Sequence, residues 1–243
     1  MSGLHYQIRL EPDLKRFSFR GLTAVTIDNA SLIVDESVLL DAHELSVEYC
    51  TVDGLPAEFD LILTQQQLAI HLPQPRSGTI TIHISYTGQI NDQYAGLYRS
   101  RYEHQGQEKW LATSQFQASD ARRVFPCFDH PAQKGSFDIS LLVDQDLAAV
   151  SNTEIVDTTA QENGKNLIQF ARTPKMSPYL VFIGIGEFEF LMADKDRFDL
   201  RVVTTAGKSQ YGRFALDSAR EALRFGETYT GIPYPLSKCD LIA

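Results

Sequence analysis

Apolar and polar residues alternate along most of the first two hundred residues of the chain, which is the pattern of half-buried β-strands. The stretches "GTITIHISYTG", "FDISLLVD" and "LTAVTIDNA" are examples, and β-branched residues are frequent in all three. The residues predicted to face a core are Ile80, Ile82, Ile84 and Tyr86 in the first stretch, Phe137, Ile139, Leu141 and Val143 in the second, and Leu22 and Ala24, with a weaker match at Val25 and Ile27, in the third.

Short strands follow one another with tight turns between them, such as Asp53-Gly54 and Asn163-Gly164, and helical periodicity is nearly absent from this part of the chain. This arrangement favours a mainly β fold, an antiparallel sandwich or barrel.

The pattern changes at the charged break "ADKDRFD", residues 193–199. One more strand, "LRVVTTAG", precedes an amphipathic helix within "SQYGRFALDSAREALRFGETYTG", and an apolar strand, "CDLIA", ends the sequence. The apolar residues at helical spacing are Tyr211, Phe214, Ala215, Ala219, Ala222 and Leu223. We predict a β-domain of residues 1–193 and an α+β segment of residues 194–243, and we expect the chain to be part of a longer protein.

Composition is that of a folded protein, with 243 residues of which 43% are hydrophobic and 22% charged. The formal net charge of −9 argues against nucleic acid as a partner. The first residues lack the apolar core of a signal peptide, and no stretch reaches the roughly 20 apolar residues that cross a bilayer, so we expect a cytoplasmic protein without a membrane partner. Cys50, Cys127 and Cys239 are an odd number at wide spacing, which predicts buried, reduced thiols.

The residues alone indicate neither a catalytic nor a metal site. The six histidines include no HExxH pair, because the nearest match, at His43, has Val47 at the second ligand position. His83 lies on the polar face of its predicted strand and should face solvent. A GxSxG nucleophile elbow is absent as well.

One loop-like segment, "SQFQASDARRVFPCFDHPA", concentrates polar residues between Ser114 and Ala132. Extended to "SQFQASDARRVFPCFDHPAQKGSFDISLLV", it closely resembles the segment that marks the N-terminal domain of zinc aminopeptidases of the aminopeptidase N and puromycin-sensitive aminopeptidase family. The stretches "YTGQINDQYAGLYRSRY" and "TPKMSPYLVFIGIGEFE" resemble neighbouring strands of that domain. The stretch "YGRFALDSAREALRFGETYTGIPYPLSKCDLIA" resembles the opening of the catalytic domain, so nearly the whole chain is covered.

The resemblance implies a saddle-like N-terminal β-sandwich over residues 1–193. Residues 194–243 would then be the beginning of a thermolysin-like zinc metallopeptidase domain. The sequence ends before the GAMEN and HExxH motifs of that domain. The full-length parent would hold zinc, whereas this chain would supply neither zinc ligands nor catalytic residues and would be inactive alone. The implied partners are peptide substrates with a free amino terminus and the missing catalytic domain of the same chain.

The resemblance also implies roles within the loop. The positions of Gln115 and Gln117 help to line the pocket for the substrate's amino terminus. Most members of the family have Glu where this chain has Gln117. In this respect the chain resembles the branch that contains leukotriene-hydrolysing aminopeptidases, which also carry Gln at the matching position. His130 also departs from the commoner Glu at its position. We expect the other polar residues to hold the loop in shape, namely Asp120, Arg122, Arg123 and Asp129.

Two alternatives remain. The chain could be a stand-alone β-sandwich binding or scaffold module without enzymatic activity. It could also be an independent hydrolase using the cluster from Gln115 to Asp129, although no activated nucleophile or metal set accompanies that cluster.

Overall fold

A computed structural model describes residues 3–28, 30–75, 78–194 and 197–243. The strands are β1 (Gly3–Asp13), β2 (Ser18–Asp28), β3 (Ile33–Val34), β4 (Ser37–Asp41), β5 (Ser46–Val52), β6 (Leu55–Pro56), β7 (Phe59–Ile62), β8 (Gln67–His71), β9 (Ile80–Gln89), β10 (Gly96–His104), β11 (Gln107–Gln115), β12 (Gly135–Asp144), β13 (Ala148–Ser151), β14 (Ile155–Ala160), β15 (Lys165–Phe170), β16 (Ile183–Gly186), β17 (Phe188–Met192), β18 (Asp199–Thr205) and β19 (Lys238–Ile242). The α-helix is α1 (Arg213–Thr230), and short 3₁₀ turns occupy Ala30–Leu32, Ala121–Arg123, Pro178–Leu180 and Ser209–Gly212.

The largest sheet in the described part of the chain has eight strands in the order β14-β15-β12-β1-β2-β9-β5-β6. Its neighbours are antiparallel except β1 and β12, which run parallel. A parallel pair needs a long connection, and here the chain between β1 and β12 builds most of the sandwich. The fold is therefore mainly β, as predicted.

Two four-stranded sheets accompany the large one, with the orders β10-β11-β16-β13 and β3-β4-β8-β7. An apolar core joins all three sheets, since it includes Ile8 and Ile82 from the large sheet, Ile185 from β16, and Leu40 and Leu68 from β4 and β8. Each sheet thus covers its apolar face against another sheet, which is how a β-sandwich removes apolar surface from water.

The inward faces predicted for β9 and β12 are confirmed, because all eight residues named for them are buried. The prediction for β2 is wrong at Leu22, which is 52% exposed, while Val25 and Ile27 are buried. Thr23 is the inward residue beside them, and its hydroxyl oxygen lies 2.8 Å from that of the buried Tyr86. A polar residue occupies this core position because it has a hydrogen-bonding partner there.

The C-terminal part forms a three-stranded sheet, β17-β18-β19, packed against α1. The strands predicted in "LRVVTTAG" and "CDLIA" and the predicted helix are confirmed. The predicted helix face is wrong for Tyr211, Phe214 and Ala222, which are exposed, whereas Leu216 is buried in the core. A small second core is formed by Phe198, Leu200, Val202 and Leu216.

The boundary between residues 193 and 194 stays a prediction. β17 precedes that boundary but pairs with β18, which follows it. Lys195 and Asp196, in the charged break, lie outside the described residues.

The thiols and the exposed histidine can be placed directly. Cys50 and Cys127 are buried, Cys239 is half-buried, and all three are free. His83 is exposed on β9, as predicted.

No helix within the described residues has the length and apolar character needed to cross a membrane.

Candidate functional site

The candidate site begins where β11 ends, at Gln115. Strand alternation continues for two more residues, so Gln115 and Gln117 are exposed while Phe116 between them is 1% exposed. Phe116 packs edge-on against Phe125 with 5.8 Å between ring centroids. The buried ring therefore anchors a segment whose two glutamine side chains face outward.

A compact turn connects the two glutamines. The backbone N–H of Gln117 donates to the side-chain oxygen of Gln115 over 3.3 Å, and the backbone N–H of Asp120 donates to the Phe116 carbonyl over 2.9 Å. The Gln117-Ala118 peptide bond is cis. The structure thus brings both predicted substrate-binding residues together at one turn.

Arg122 fixes the far side of the loop. Its Nε donates to the Asp129 carboxylate over 3.0 Å, and its guanidinium lies 3.4 Å from the carboxylate of Asp41. Burial raises the pKa of Asp129, and the bonds from Arg122 oppose that rise. Backbone hydrogen bonds in both directions join Asp41 to Cys127. The predicted structural role of Arg122 and Asp129 is confirmed by these contacts.

Arg123 fixes the near side of the loop. Its Nε donates to the Asp120 carboxylate over 2.8 Å, and its other arm bonds to Glu44. The stem of Arg123 lies against Gly96, where an added Cβ would approach the Arg123 Cβ to 2.9 Å. Gly96 has a φ of +68°, a conformation that favours glycine. This close approach holds the start of β10 next to the loop.

The loop is also tied to the large sheet through Tyr6. The Tyr6 hydroxyl accepts a hydrogen bond from the backbone N–H of Phe128 over 3.2 Å. The Tyr6 ring stacks on Phe137 with 4.9 Å between centroids, and burial raises the pKa of its hydroxyl well above the usual value. The loop is consequently packed against the core of the large sheet.

Gln115 and Gln117 offer neutral amide groups at the turn. The carboxylates of Asp120 and Glu44 are both bonded to Arg123, whose single positive charge offsets one of their two negative charges. Among the described residues no three His, Cys, Asp or Glu side chains are grouped as a metal site would require. The loop can therefore accept hydrogen bonds from a cation, but these residues do not fit a zinc ion.

Tyr94 and Tyr98 carry no motif that marks them in the sequence, and their rings lie 5.2 Å apart around the start of β10. Gly96, between them in the chain, pairs with Gln115 in the hairpin of β10 and β11. The strand register places Tyr98 on the same face as Gln115, and the ring contact brings Tyr94 next to Tyr98.

A groove of about 540 Å³ lies elsewhere, on the outer face of the large sheet. Leu22, Tyr49 and Arg9 help to line it, and neither glutamine of the loop does. The groove is thus separate from the candidate site.

Comparisons with known proteins identify the family. Residues 2–180 match the model of the Peptidase M1 N-terminal domain. The chain therefore belongs to the M1 peptidase family and contains its N-terminal domain.

Relatives extend the similarity beyond residue 180. The chain is 36% identical to puromycin-sensitive aminopeptidase of Caenorhabditis elegans, with 98% of the chain covered, and 37% identical to aminopeptidase M1-B of Oryza sativa subsp. japonica, with 100% covered. It is 35% identical to aminopeptidase M1 of Arabidopsis thaliana, with 98% covered. The matches span 26%, 28% and 28% of these relatives, so the chain corresponds to about a quarter of their length.

Proposed function

We propose that the chain is the N-terminal part of a zinc aminopeptidase that removes residues from peptide amino termini. In this proposal the chain supplies the scaffold and contacts to the substrate's amino terminus, and the zinc site lies in the catalytic domain that follows. The M1 family match and the aminopeptidase names of the relatives support the activity of the parent. We place the parent in the cytoplasm, with neither nucleic acid nor a membrane as partner.

The observation that carries the substrate-binding role is the exposure of Gln115 and Gln117 on a turn whose surroundings are fixed. A protonated amino terminus offers N–H donors, and a glutamine side-chain oxygen accepts them. Because the Gln115 oxygen already accepts a bond from the Gln117 backbone, we assign Gln115 to orienting the turn and Gln117 to direct contact with the ammonium group.

Zinc, when bound to the parent, would activate the water that attacks the peptide carbonyl. The described residues of this chain do not fit that ion. We assign its ligands to the catalytic domain of the same polypeptide, which is also the proposed partner of this chain.

The test is replacement of Gln117 by Glu and by Ala in the complete parent enzyme. A charge-assisted hydrogen bond exceeds a neutral one by about 1 kcal/mol, so Gln117→Glu should raise kcat/KM for peptides with a free amine several-fold. N-acetylated peptides lack the ammonium group and should not gain. The measurement is the ratio of kcat/KM for free peptides to kcat/KM for acetylated peptides.

A matched control is Gln107→Glu, which adds the same charge at the exposed opposite end of β11. This control should leave the ratio unchanged. If Gln117, Gln117→Glu and Gln117→Ala all give the same ratio, Gln117 does not contact the amino terminus. A complete parent without any peptidase activity would instead favour a non-catalytic binding or scaffold module.

A further inference from the structure

The turn before β10 presents an aromatic ring in an unusual way. Tyr94 lies at its tip with a φ of +58° and is 71% exposed. A bulky residue in this left-handed region is uncommon and costs conformational energy. An exposed ring gains little for the fold in return, so its presence calls for another explanation.

The turn is held firmly by Asn91. The Asn91 side-chain amide donates to the Ala95 carbonyl over 2.8 Å, and its oxygen accepts from the backbone N–H of Gln93 over 2.8 Å. The Asn91 backbone N–H also donates to the Leu97 carbonyl over 3.1 Å. These bonds brace the backbone on both sides of Tyr94, so the turn that carries its ring is ordered before any ligand binds.

Tyr94 packs on Tyr98, with 5.2 Å between the ring centroids and 60° between the ring planes. Tyr98 is half-buried, and that burial, followed by the proximity of Tyr94, raises the pKa of its hydroxyl. We call this pair the aromatic shelf. One ring of the shelf is anchored in the hairpin, and the other is free to contact a ligand.

Strand register places Tyr98 of the shelf beside Gln115. Gly96 pairs with Gln115 and Tyr98 pairs with Thr113 in the antiparallel hairpin, so Tyr98 and Gln115 face the same side. Such diagonal neighbours are about 7–8 Å apart, within reach of aromatic side chains. A group held by the glutamine turn therefore has the shelf next to it.

We propose that the aromatic shelf of Tyr94 and Tyr98 contacts the side chain of the substrate's first residue and favours large apolar and aromatic side chains there. This inference rests on the proposed function, because it takes the glutamine turn as the place where the amino terminus is held. In an α-amino acid the side chain is attached to the same carbon atom as the amine. A surface adjoining the amine site is thus positioned to read that side chain, and aromatic faces bind apolar and aromatic groups best.

The test uses the complete enzyme with Tyr94→Ala and Tyr94→Phe, and substrates whose first residue is Phe, Leu or Ala. Tyr94→Ala should lower kcat/KM for Phe-first and Leu-first substrates about tenfold relative to the Ala-first substrate. Tyr94→Phe keeps the ring and should keep the preference. Tyr49→Ala removes another exposed tyrosine, on the outer face of the large sheet, and should leave the preference unchanged.

The outcomes separate the shelf from the proposed function. If Tyr94→Ala changes kcat/KM equally for all three substrates, or lowers only the thermal stability, the shelf inference is wrong and the ring packs against the rest of the parent. If Gln117 variants alter the free-to-acetylated ratio while Tyr94→Ala leaves the preference intact, only the shelf fails. If Tyr94→Ala shifts the preference among the three substrates while the Gln117 variants leave the free-to-acetylated ratio unchanged, the shelf inference is supported and the role assigned to Gln117 is wrong.

Discussion

At the scale of single residues, Gly21 and Tyr86 are directly paired across β2 and β9. A Cβ added at Gly21 would lie 2.3 Å from the Tyr86 ring, which is fully buried. The same tyrosine hydroxyl is hydrogen-bonded to Thr23 in the core. The ring therefore lies over a backbone position where no side chain fits.

We expect Gly21→Ala to destabilise the protein by about 1–3 kcal/mol, because the Tyr86 ring must move out of a well-packed position. Urea denaturation would measure the change in the free energy of unfolding. Gly226→Ala is the matched control, since its Cβ would meet no atom within 4 Å and it lies inside α1. That control should stabilise by about 0.5–1 kcal/mol through helix propensity. Equal effects of the two substitutions would contradict the packing assigned to Gly21.

Alternation in the sequence correctly predicts that Tyr86 faces the core, because that property is local to one strand. The need for glycine at position 21 could not be predicted, since it depends on which residue of β9 lies opposite. The partners Thr23 and Tyr86 are 63 residues apart in the chain. The candidate site could not be fully predicted for the same reason, because the position of Tyr98 near Gln115 depends on the register between β10 and β11.

At the scale of elements, a hydrogen bond at the start of β19 attaches the C-terminal sheet to the sandwich. The Lys238 Nζ donates to the Ser151 carbonyl over 2.7 Å and also bonds to Asp240. Arg201 binds the Asp240 carboxylate with two bonds, of 2.6 and 2.7 Å. These two cations hold the pKa of Asp240 below its usual value despite burial. β19 is thereby fixed at its first residues, whereas α1 contributes Leu216 as its buried side chain.

We expect amide hydrogen exchange to be fastest, among the regular elements, in α1. Leu216 is the buried side chain of α1, and Ala215, Ala219 and Leu223 pack against the small second core only partly buried. Opening of α1 therefore loses less apolar contact than opening of β1, β2 or β9, which lie inside the large core. Exchange followed by mass spectrometry on the 243-residue chain would measure this. β19 should exchange more slowly than α1 because Lys238 ties it to β13. Protection of α1 equal to that of β2 would show that the helix is an integral part of the sandwich.

Periodicity predicted the existence of α1 and most strands, because each element carries its own repeat of apolar residues. It did not predict which face of α1 packs, since Tyr211 and Phe214 extend the apolar side beyond the part that meets β18. The parallel pairing of β1 with β12 could not be predicted from the sequence pattern either. Local patterns fix a strand but do not select its neighbour.

At the scale of the whole molecule, α1 leaves an aromatic stripe uncovered. Phe214, Phe225 and Tyr229 are 82%, 69% and 80% exposed, and Ile232 just beyond the helix is 68% exposed. The rings of Phe225 and Tyr229 stack on each other 5.8 Å apart. Exposed apolar rings along one helix are typical of surfaces that pack against other protein.

We expect the 243-residue chain alone to self-associate through this stripe. The net charge of −9 opposes association by repulsion, and salt screens that repulsion, so the association should strengthen as ionic strength rises. Sedimentation velocity at increasing protein and salt concentration would measure the mass. Phe225→Lys places a charge in the centre of the stripe and should restore the monomer, whereas Leu63→Lys makes the same kind of change at a side chain 79% exposed outside α1 and should have no such effect. A chain that stays monomeric at high salt, or that both variants affect equally, would show that the stripe does not drive association.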